Sequence, residues 1–428
     1  MIRVENRRNI NLRSYRASVT TLLNEVSTQV TGMIEDVRNR GDEALYHYTL
    51  KYDGVDLKKV GLRVSPEEIE AARKAVEPEF LEALGRAADN IRRYHERQKT
   101  FSWVDCDEEG VTWGRLVRPL PRVGIYVPGG TAAYPSSVLM NAIPAQVAGV
   151  KEIVMVSPPG KDGTLSVYSL AAAGELGINE IYRLGGAQAI AALAVGSDTI
   201  RPVVKITGPG NIYVTAAKKL VYGEVDIDML AGPSEIFIVA SGVKYAGYIA
   251  ADMLSQAEHD ANSASILATP DTELVAAVQA ELAVQLEQLP RAAIAGKSLK
   301  NNGLIIITET IQEALEAANE YAPEHLELIV DEPMSLIHKV EAAGSVFVGP
   351  YTPEPVGDYF GGTNHILPTG GTAVYASPLS VNDFVRNTSV ISYSRDKLLK
   401  SAPDIELLAE IEGLRAHANA VRIRRERG

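Results

Sequence analysis

The sequence predicts an α/β protein whose strands lie mostly parallel in open sheets. From about Val111 onward, short β-rich runs alternate with alanine-rich helical runs, and three strand ends continue directly into glycine turns. Strands that alternate with helices of this length are joined by right-handed crossovers, which makes neighbouring strands parallel. A chain of 428 residues is long enough for two or three domains with substantial cores.

The individual elements follow from local patterns. Residues from Tyr15 to about Gln98 have helical spacing, and Ser65 before Pro66 and two glutamates is a typical helix start. The β-rich runs, some with the turn that ends them, are 122–130, 151–160, 180–186, 203–211, 236–240, 265–268 and 304–308. Helices are predicted at 166–176, 187–196, from 212, 245–260 and 272–289, and from Thr310 to a break at Pro323.

We expect this alternation to form two α/β units with a smaller segment at each end. Residues 126–234 are predicted to form one unit, and 26–125 together with 235–376 the other. An N-terminal segment covers 1–25. The chain from 377 to 428 is predicted to be a small helical appendage.

Composition narrows the class of partner and the compartment. A formal net charge of −12 argues against nucleic acid or an anionic membrane as the main partner. The chain has one cysteine, Cys106, so it can form neither an intrachain disulfide nor a cysteine-based zinc or iron–sulfur site. No signal-like or membrane-spanning apolar run is present. We therefore expect a cytoplasmic protein.

Three glycine turns join strands to helices. They read P-G-G after Val127, L-G-G-A-Q after Arg183 and T-G-P-G-N after Ile206. At the carboxyl ends of parallel strands, backbone N–H groups and helix N-termini favour anions, which suits a nucleotide. None of the three is a standard dinucleotide or P-loop fingerprint, and each turn taken singly is better explained as a tight turn alone.

The stretch S-Q-A-E-H-D, at 255–260, closes a predicted amphipathic helix. Gln256 and His259 are three positions apart, so both are expected on one face of that helix. An amide oxygen and an imidazole nitrogen together suit a borderline metal such as zinc. Two ligands alone do not make a site.

Three further polar motifs hold candidate groups. Glu324 and His325 follow Pro323, where the helix breaks, and both can take protons near neutral pH. An ordinary helix-opening acid beside a surface histidine is the alternative. The glycine-rich loop 355–371 contains Asp358 and a histidine, as functional loops often do. Glu412 and His417 lie on a C-terminal helix, where a solvated pair is the simpler interpretation.

Taken together, these motifs resemble the histidinol dehydrogenase family. The resemblance rests on A-G-P-S-E, S-Q-A-E-H-D, A-P-E-H-L, G-D-Y-F-G-G-T-N-H-I-L-P-T and E-G-L-R-A-H-A-N-A-V in this order, with R-V-G-I-Y-V-P-G-G, G-G-A-Q-A-I-A-A-L and G-P-G-N-I-Y-V upstream. It covers the chain from about residue 20 to the end. It implies two Rossmann-like, doubly wound units of an incomplete dinucleotide-binding type, with small helical segments at both termini.

The resemblance also implies an activity and a set of site residues. The family's members are homodimers that oxidise L-histidinol through L-histidinal to L-histidine, with zinc and two successive NAD molecules. Glu324 would activate water and His325 would act as the base. The matching positions assign zinc to Gln256, His259, Asp358 and His417, substrate to these four with Ser234, His325, His365 and Glu412, and NAD to Tyr126, Gln188 and Asn211. His417 and Glu412 would reach the partner subunit's site.

Three alternatives remain open at this point. A dehydrogenase of the same fold could act on another polar alcohol, such as a sulfonated propanediol, although the intact T-N-H-I-L-P-T loop and Glu412 favour histidinol. A zinc hydrolase could use Glu324 without NAD, but it would leave the three glycine turns without a role. A non-catalytic ligand-binding protein would not need the Glu324–His325 pair.

Overall fold

A computed structural model describes residues 2–12, 15, 19–129 and 133–427, with side chains from 23 onward in the first helix. Its strands are β1 Arg3–Asn6, β2 Trp103–Cys106, β3 Val111–Pro119, β4 Arg122–Tyr126, β5 Glu152–Ser157, β6 Glu180–Arg183, β7 Lys205–Thr207, β8 Asp226–Ile227, β9 Glu235–Ala240, β10 Ala264–Thr269, β11 Leu304–Ile307, β12 His325–Ile329, β13 Ser345–Val348 and β14 Val385–Tyr393.

The helices connect these strands. They are α1 Val19–Arg40, α2 Asp42–Tyr52, α3 Leu57–Val60, α4 Pro66–Ala75, α5 Pro78–Glu96, α6 Pro135–Ala148, α7 Val167–Glu175, α8 Gly186–Val195, α9 Ile212–Val221, α10 Ala246–Ala257, α11 Thr272–Leu286, α12 Ala292–Asn302, α13 Ile311–Tyr321, α14 Arg395–Ile411 and α15 Arg415–Arg427. Among the described residues, none of them combines the length and apolar character that a bilayer crossing requires.

The first sheet is parallel throughout, in the order β1-β11-β10-β9-β12-β13. Apolar clusters cover both of its faces, and the central strands are therefore buried on both sides. Burial on both faces explains why β9, β10 and β11 are nearly continuous apolar runs. The strand order of this sheet places the start of β12 beside the start of β9, with His325 opposite Ile236.

The second sheet, also parallel, has the order β6-β5-β4-β7-β8. Its core includes Val30 and Val37 of α1 and Leu45 of α2, and α1 packs against α8 and α9. The sequence-based prediction instead placed residues 26–125 in one unit with 235–376. The apolar stripe of α1 is buried where the alanine-rich faces of α8 and α9 offer matching apolar surface.

A smaller compact unit consists of Lys99–Leu120 and the chain from Val385 onward. Its sheet is antiparallel, in the order β14-β3-β2, and Val385 to Tyr393 pairs residue by residue with Pro119 to Val111. The sequence prediction of a purely helical segment from 377 onward is wrong here. Residues 385–393 read V-R-N-T-S-V-I-S-Y, whose β-branched side chains favour a strand.

Most predicted elements are confirmed. The two parallel sheets with helical connections match the predicted α/β class, and α4 begins with a capping box in which Ser65 and Glu68 exchange hydrogen bonds of 2.8 and 3.2 Å. The elements that were not predicted are the helices α6 and α12 and the strands β1, β2, β3, β8, β12, β13 and β14. All of these strands except β3 and β14 have five residues or fewer, too few for a clear periodic signal.

Candidate active site

A single cavity of about 720 Å³ joins the three glycine turns to the predicted catalytic residues. Gly129, Gly186 and Gly210 line it from the turns after β4, β6 and β7. The cavity is also lined at the N-terminal ends of two strands of the first sheet, by Glu324 and His325 at β12 and by Ser234 at β9. The structure therefore brings together groups that are far apart in the sequence.

The backbone of one residue, Glu235, holds the predicted catalytic pair in place. Its N–H donates to Glu324 Oε2 at 2.9 Å, and its carbonyl oxygen lies 3.1 Å from His325 Nδ1. A carbonyl can only accept a hydrogen bond, so Nδ1 must carry the ring proton. This leaves the lone pair of His325 on Nε2, the atom that a base must present.

The Nε2 atom of His325 is buried and has no hydrogen-bond partner among the described residues. It lies 3.8 Å from Glu354 Oε1 and 4.0 Å from Asp358 Oδ1. Burial lowers the pKa of His325 to about 3, so the ring is neutral at pH 7. A neutral imidazole with a free lone pair in a cavity can accept a proton, but the burial that keeps it neutral also weakens it as a base.

Glu324 has the opposite shift. Burial raises its pKa well above the usual value, and the hydrogen bond from the Glu235 N–H opposes that rise only in part. A carboxylate whose pKa is raised by burial is, when ionised, a stronger base than an exposed one. The assignment of proton transfer to these two adjacent residues stays a prediction.

Several potential metal ligands gather beside this pair. Donor atoms of His259, Glu354 and Asp358 all lie within 4.8 Å of one another. With its amide nitrogen towards Glu354, Gln256 donates to both carboxylate oxygens, at 2.6 and 2.7 Å, and accepts from Glu235 N–H at 2.8 Å. Imidazole nitrogen with carboxylate and amide oxygen is a ligand set that zinc accepts.

The expected helical placement of His259 is wrong. Helix α10 ends at Ala257, so Gln256 lies in its last turn and His259 in the turn that follows. The apolar spacing that buries α10 stops at Ala257, and the polar residues after it leave the core. The two side chains nevertheless approach the same acid: His259 Nε2 lies 3.9 Å from Glu354 Oε1.

The glycine-rich loop contributes Asp358 and His365. Asp358 belongs to the π-type helical turn Val356–Phe360, and burial raises its pKa to about 7. Nδ1 of His365 lies 3.1 Å from the backbone oxygen of Asp358, so His365 also carries its proton on Nδ1. Burial lowers its pKa to about 4. Asn364 in the same loop is structural, since its amide donates to Met140 O at 2.8 Å.

The predicted NAD residues all line the cavity at the glycine turns. The Tyr126 hydroxyl accepts from the N–H of Gly186 at 3.2 Å, and Gln188 is buried in the first turn of α8. Asn211 caps α9 by accepting from the backbone N–H groups of the next turn at 3.0 and 3.2 Å. Its side-chain oxygen therefore already has a structural use, which leaves the amide N–H₂ for a ligand.

The third turn requires glycine at Gly208. Its φ is +113°, and a Cβ there would lie 2.1 Å from the backbone oxygen of Tyr126. Asp228 accepts from Gly208 N–H at 2.7 Å, and Lys218 donates to Gly208 O at 3.0 Å. Lys218 and Asp228 form an ion pair that is almost fully buried. Fixed charges behind the turn thus set its shape.

Glu412 and His417, which the family resemblance assigns to the site, do not line this cavity. Both are exposed and belong to the smaller unit, whereas every described residue that lines the cavity belongs to the larger one. Sequence reasoning also missed Glu354, which is 2% exposed and touches both Gln256 and the histidines. Its only sequence signal is an acid between two prolines, directly before the glycine-rich loop.

Comparison with known proteins identifies the family. The family model for histidinol dehydrogenase matches residues 17–425. The chain belongs to the histidinol dehydrogenase family. It is 55% identical to the histidinol dehydrogenase of Heliobacterium mobile over 402 residues, covering 94% of each chain, and 54% identical to that of Geobacillus kaustophilus over 415 residues, covering 97% of each.

A solved structure extends the likeness to the fold. The crystal structure of histidinol dehydrogenase from Elizabethkingia anophelis superposes with a TM-score of 0.92 at 38% identity, covering 99% of this chain and 98% of that one. The predicted family, fold class and enzyme class are thereby confirmed: the protein is an oxidoreductase of histidine biosynthesis. The zinc hydrolase and the non-catalytic binding protein considered above are not supported.

Proposed function

We propose that this protein catalyses the zinc-dependent, NAD-linked oxidation of L-histidinol through L-histidinal to L-histidine. The observation that carries the proposal is the Glu324–His325 pair, held by the backbone N–H and carbonyl of Glu235 in the same cavity as the three glycine turns. A hydrolase would have no use for the turns. A simple alcohol dehydrogenase would need no second proton acceptor beside His325.

The donor atoms at the cavity fit a zinc ion. Gln256, His259 and Asp358 would hold it, with His417 supplied by a second copy of the chain. His259 Nε2 and the Asp358 carboxylate already lie within 4.8 Å of each other, and Gln256 shares Glu354 with them. A bound zinc ion supplies a charged anchor for the substrate's nitrogen and oxygen atoms.

NAD accepts the hydride at each oxidation when it is bound. The chain's own contribution to the first oxidation is the removal of the hydroxyl proton by His325 Nε2. As that proton arrives, the Nδ1–H bond to the Glu235 carbonyl stabilises the resulting imidazolium. His365, Asp358 and Ser234 line the same cavity and would fix the orientation of the substrate.

Between the two oxidations the aldehyde must be hydrated. Glu324 would take a proton from the attacking water, since its raised pKa makes it a strong base in this cavity. The proton that His325 Nε2 took in the first oxidation would pass to the aldehyde oxygen as the water attacks. His325 is then neutral again and would accept the proton of the hydrate's hydroxyl in the second oxidation. The burial of both side chains keeps bulk water away from the aldehyde during this sequence.

We further propose a cytoplasmic homodimer in which the smaller unit supplies Glu412 and His417 to its partner. Both residues are exposed in the isolated chain. The same unit exposes several large apolar side chains, as an unpaired interface does: Phe101, Trp103, Val104, Ile391, Leu407, Leu408 and Ile411.

The activity is tested by NADH absorbance with L-histidinol and excess NAD, with and without a chelator. Two NADH per histidinol, lost on chelation and restored by zinc, is the expected result. Turnover of a sulfonated propanediol in place of histidinol would keep the family and overturn the substrate.

The shared site is tested by mixing two inactive variants, His325→Asn and His417→Ala, after unfolding and refolding them together. Random pairing makes about half of the dimers mixed, each with one intact site, so about a quarter of wild-type activity should return. No recovery would show that His417 does not act across the dimer.

A further inference from the structure

One acidic side chain in the cavity has no role in the function described above. Asp53 follows α2 as its C-terminal cap, with its backbone N–H donating to Thr49 O at 2.9 Å. A carboxylate at the negative end of a helix is unfavourably placed. The Oδ2 atom is buried and has no hydrogen-bond partner among the described residues. Such a group needs a donor from outside the chain.

The surroundings of Asp53 belong to the dinucleotide end of the cavity. Asp53 and Tyr52 line it together with Tyr126 and Gln188, which border the glycine turns. Besides lining the same cavity, Asp53 contributes through its charge to raising the pKa of Tyr126. This end is formed by α2 and the second sheet, whereas the catalytic pair begins β12 of the first sheet.

The chemistry of a dinucleotide indicates where each of its parts would lie in the cavity. The reacting ring must lie at His325, and the glycine turns offer backbone N–H groups to the pyrophosphate. The adenosine half must therefore extend beyond the turns, towards α2. An unpaired carboxylate there calls for a neutral partner with several O–H donors, and a ribose diol supplies two.

We propose that Asp53 binds the 2′- and 3′-hydroxyls of the adenosine ribose and thereby selects NAD over NADP. The proposal rests on the proposed function, because it takes the cavity to hold a dinucleotide. A 2′-phosphate would place its negative charge against the Asp53 carboxylate. No lysine or arginine is among the described residues that line the cavity, so nothing there would offset that repulsion.

Titration calorimetry with ADP-ribose, its 2′-deoxyadenosine analogue and 2′-phospho-ADP-ribose tests this without turnover. Wild-type protein should bind ADP-ribose at least about 10-fold more tightly than either analogue, as expected for one charged hydrogen bond. In Asp53→Asn the loss of the 2′-hydroxyl should cost about threefold or less, and discrimination against the 2′-phosphate should fall by a similar factor. Asp36→Asn is the matched control, because Asp36 lies on α1 outside this cavity.

Equal discrimination by wild type and Asp53→Asn would overturn the proposal for Asp53. NADH formation by the wild type would leave the proposed function intact in that case. No binding of ADP-ribose to the wild type would overturn the proposal as well. Loss of discrimination in Asp53→Asn, with no turnover of histidinol, would support Asp53 and overturn the substrate alone. Asp53→Asn replaces one carboxylate oxygen by an amide nitrogen, so little change in the fold is expected. If Asp53→Asn is nevertheless misfolded, Asp53→Ser provides a second test.

Discussion

Replacing Glu354 by glutamine should weaken metal binding, because this carboxylate orients Gln256. Both of its oxygens contact the Gln256 amide, at 2.6 and 2.7 Å, and Oε1 lies 3.9 Å from His259 Nε2. In Glu354→Gln one of these oxygens becomes an N–H₂ group. That group faces the N–H₂ of Gln256, so one hydrogen bond is lost and two donors are opposed.

The size of the effect follows from this geometry. Loss of a partner that orients a metal ligand typically weakens affinity by about 10–100-fold, or about 1.4–2.7 kcal/mol. Glu354→Gln should lie within that range. Glu354→Ala should lie at its upper end, since Gln256 then loses both contacts and a cavity opens beside a buried amide.

Zinc affinity can be measured by competition with a chromophoric chelator, using metal-free protein and no substrate. Glu332→Gln is a suitable control, because Glu332 is an exposed acid away from the cavity. A loss far beyond 100-fold in both variants would mean that Glu354 is itself a ligand. An unchanged affinity in Glu354→Ala would refute the orienting role.

Three further substitutions test other parts of the molecule. Lys218→Met should lower the free energy of unfolding by about 3–5 kcal/mol, because it leaves the Asp228 carboxylate unpaired in the core, and it should weaken NAD binding. Lys219→Met, on the exposed side of the same helix, should have neither effect. Thermal unfolding measures the stability and titration calorimetry measures NAD binding. Glu324→Gln keeps the acceptor for the Glu235 N–H but cannot take a proton, so a single-turnover assay with NAD should stop near one NADH per histidinol instead of two. Folding raises the pKa of Asp53 from 3.8 to about 6, so its ionisation above pH 6 disfavours the folded state. Asp53→Asn should therefore be more stable than wild type at pH 8, by about 1 kcal/mol after solvent screening, and the difference should vanish below about pH 4.

The fold was predictable where local pattern and burial agree. The central strands β9, β10 and β11 are apolar on both faces, and the glycine turns that end several strands are visible in the sequence. The candidate site was predictable only in part. Asp53 lies at the end of a charged helix, and Glu354 lies in no periodic segment, so neither stands out from surface acids until the tertiary fold buries it.

Strand β12 shows most clearly why local pattern fails at a functional site. It reads H-L-E-L-I, and its alternation of polar and apolar residues predicts one exposed face, yet all five residues are buried. Glu327 is accommodated because it accepts from the backbone N–H of Glu354 at 3.0 Å and because burial, together with the nearby Asp252, raises its pKa well above the usual value. These contacts join three different elements and cannot be read from any one of them.

The same contacts explain why buried acids are retained in the core of this strand. Glu327 fixes the backbone of Glu354, Glu354 fixes Gln256, and Gln256 shares the Glu235 N–H with Glu324. The chain of hydrogen bonds therefore runs from the middle of β12 to the predicted metal site and back to the catalytic pair at the start of the strand. Apolar residues at these positions would stabilise the sheet more, but they would leave Glu324 and the metal ligands without fixed orientations. The departures from strand pattern in β12 are thus the positions where the sheet supports the predicted catalytic and metal-binding residues.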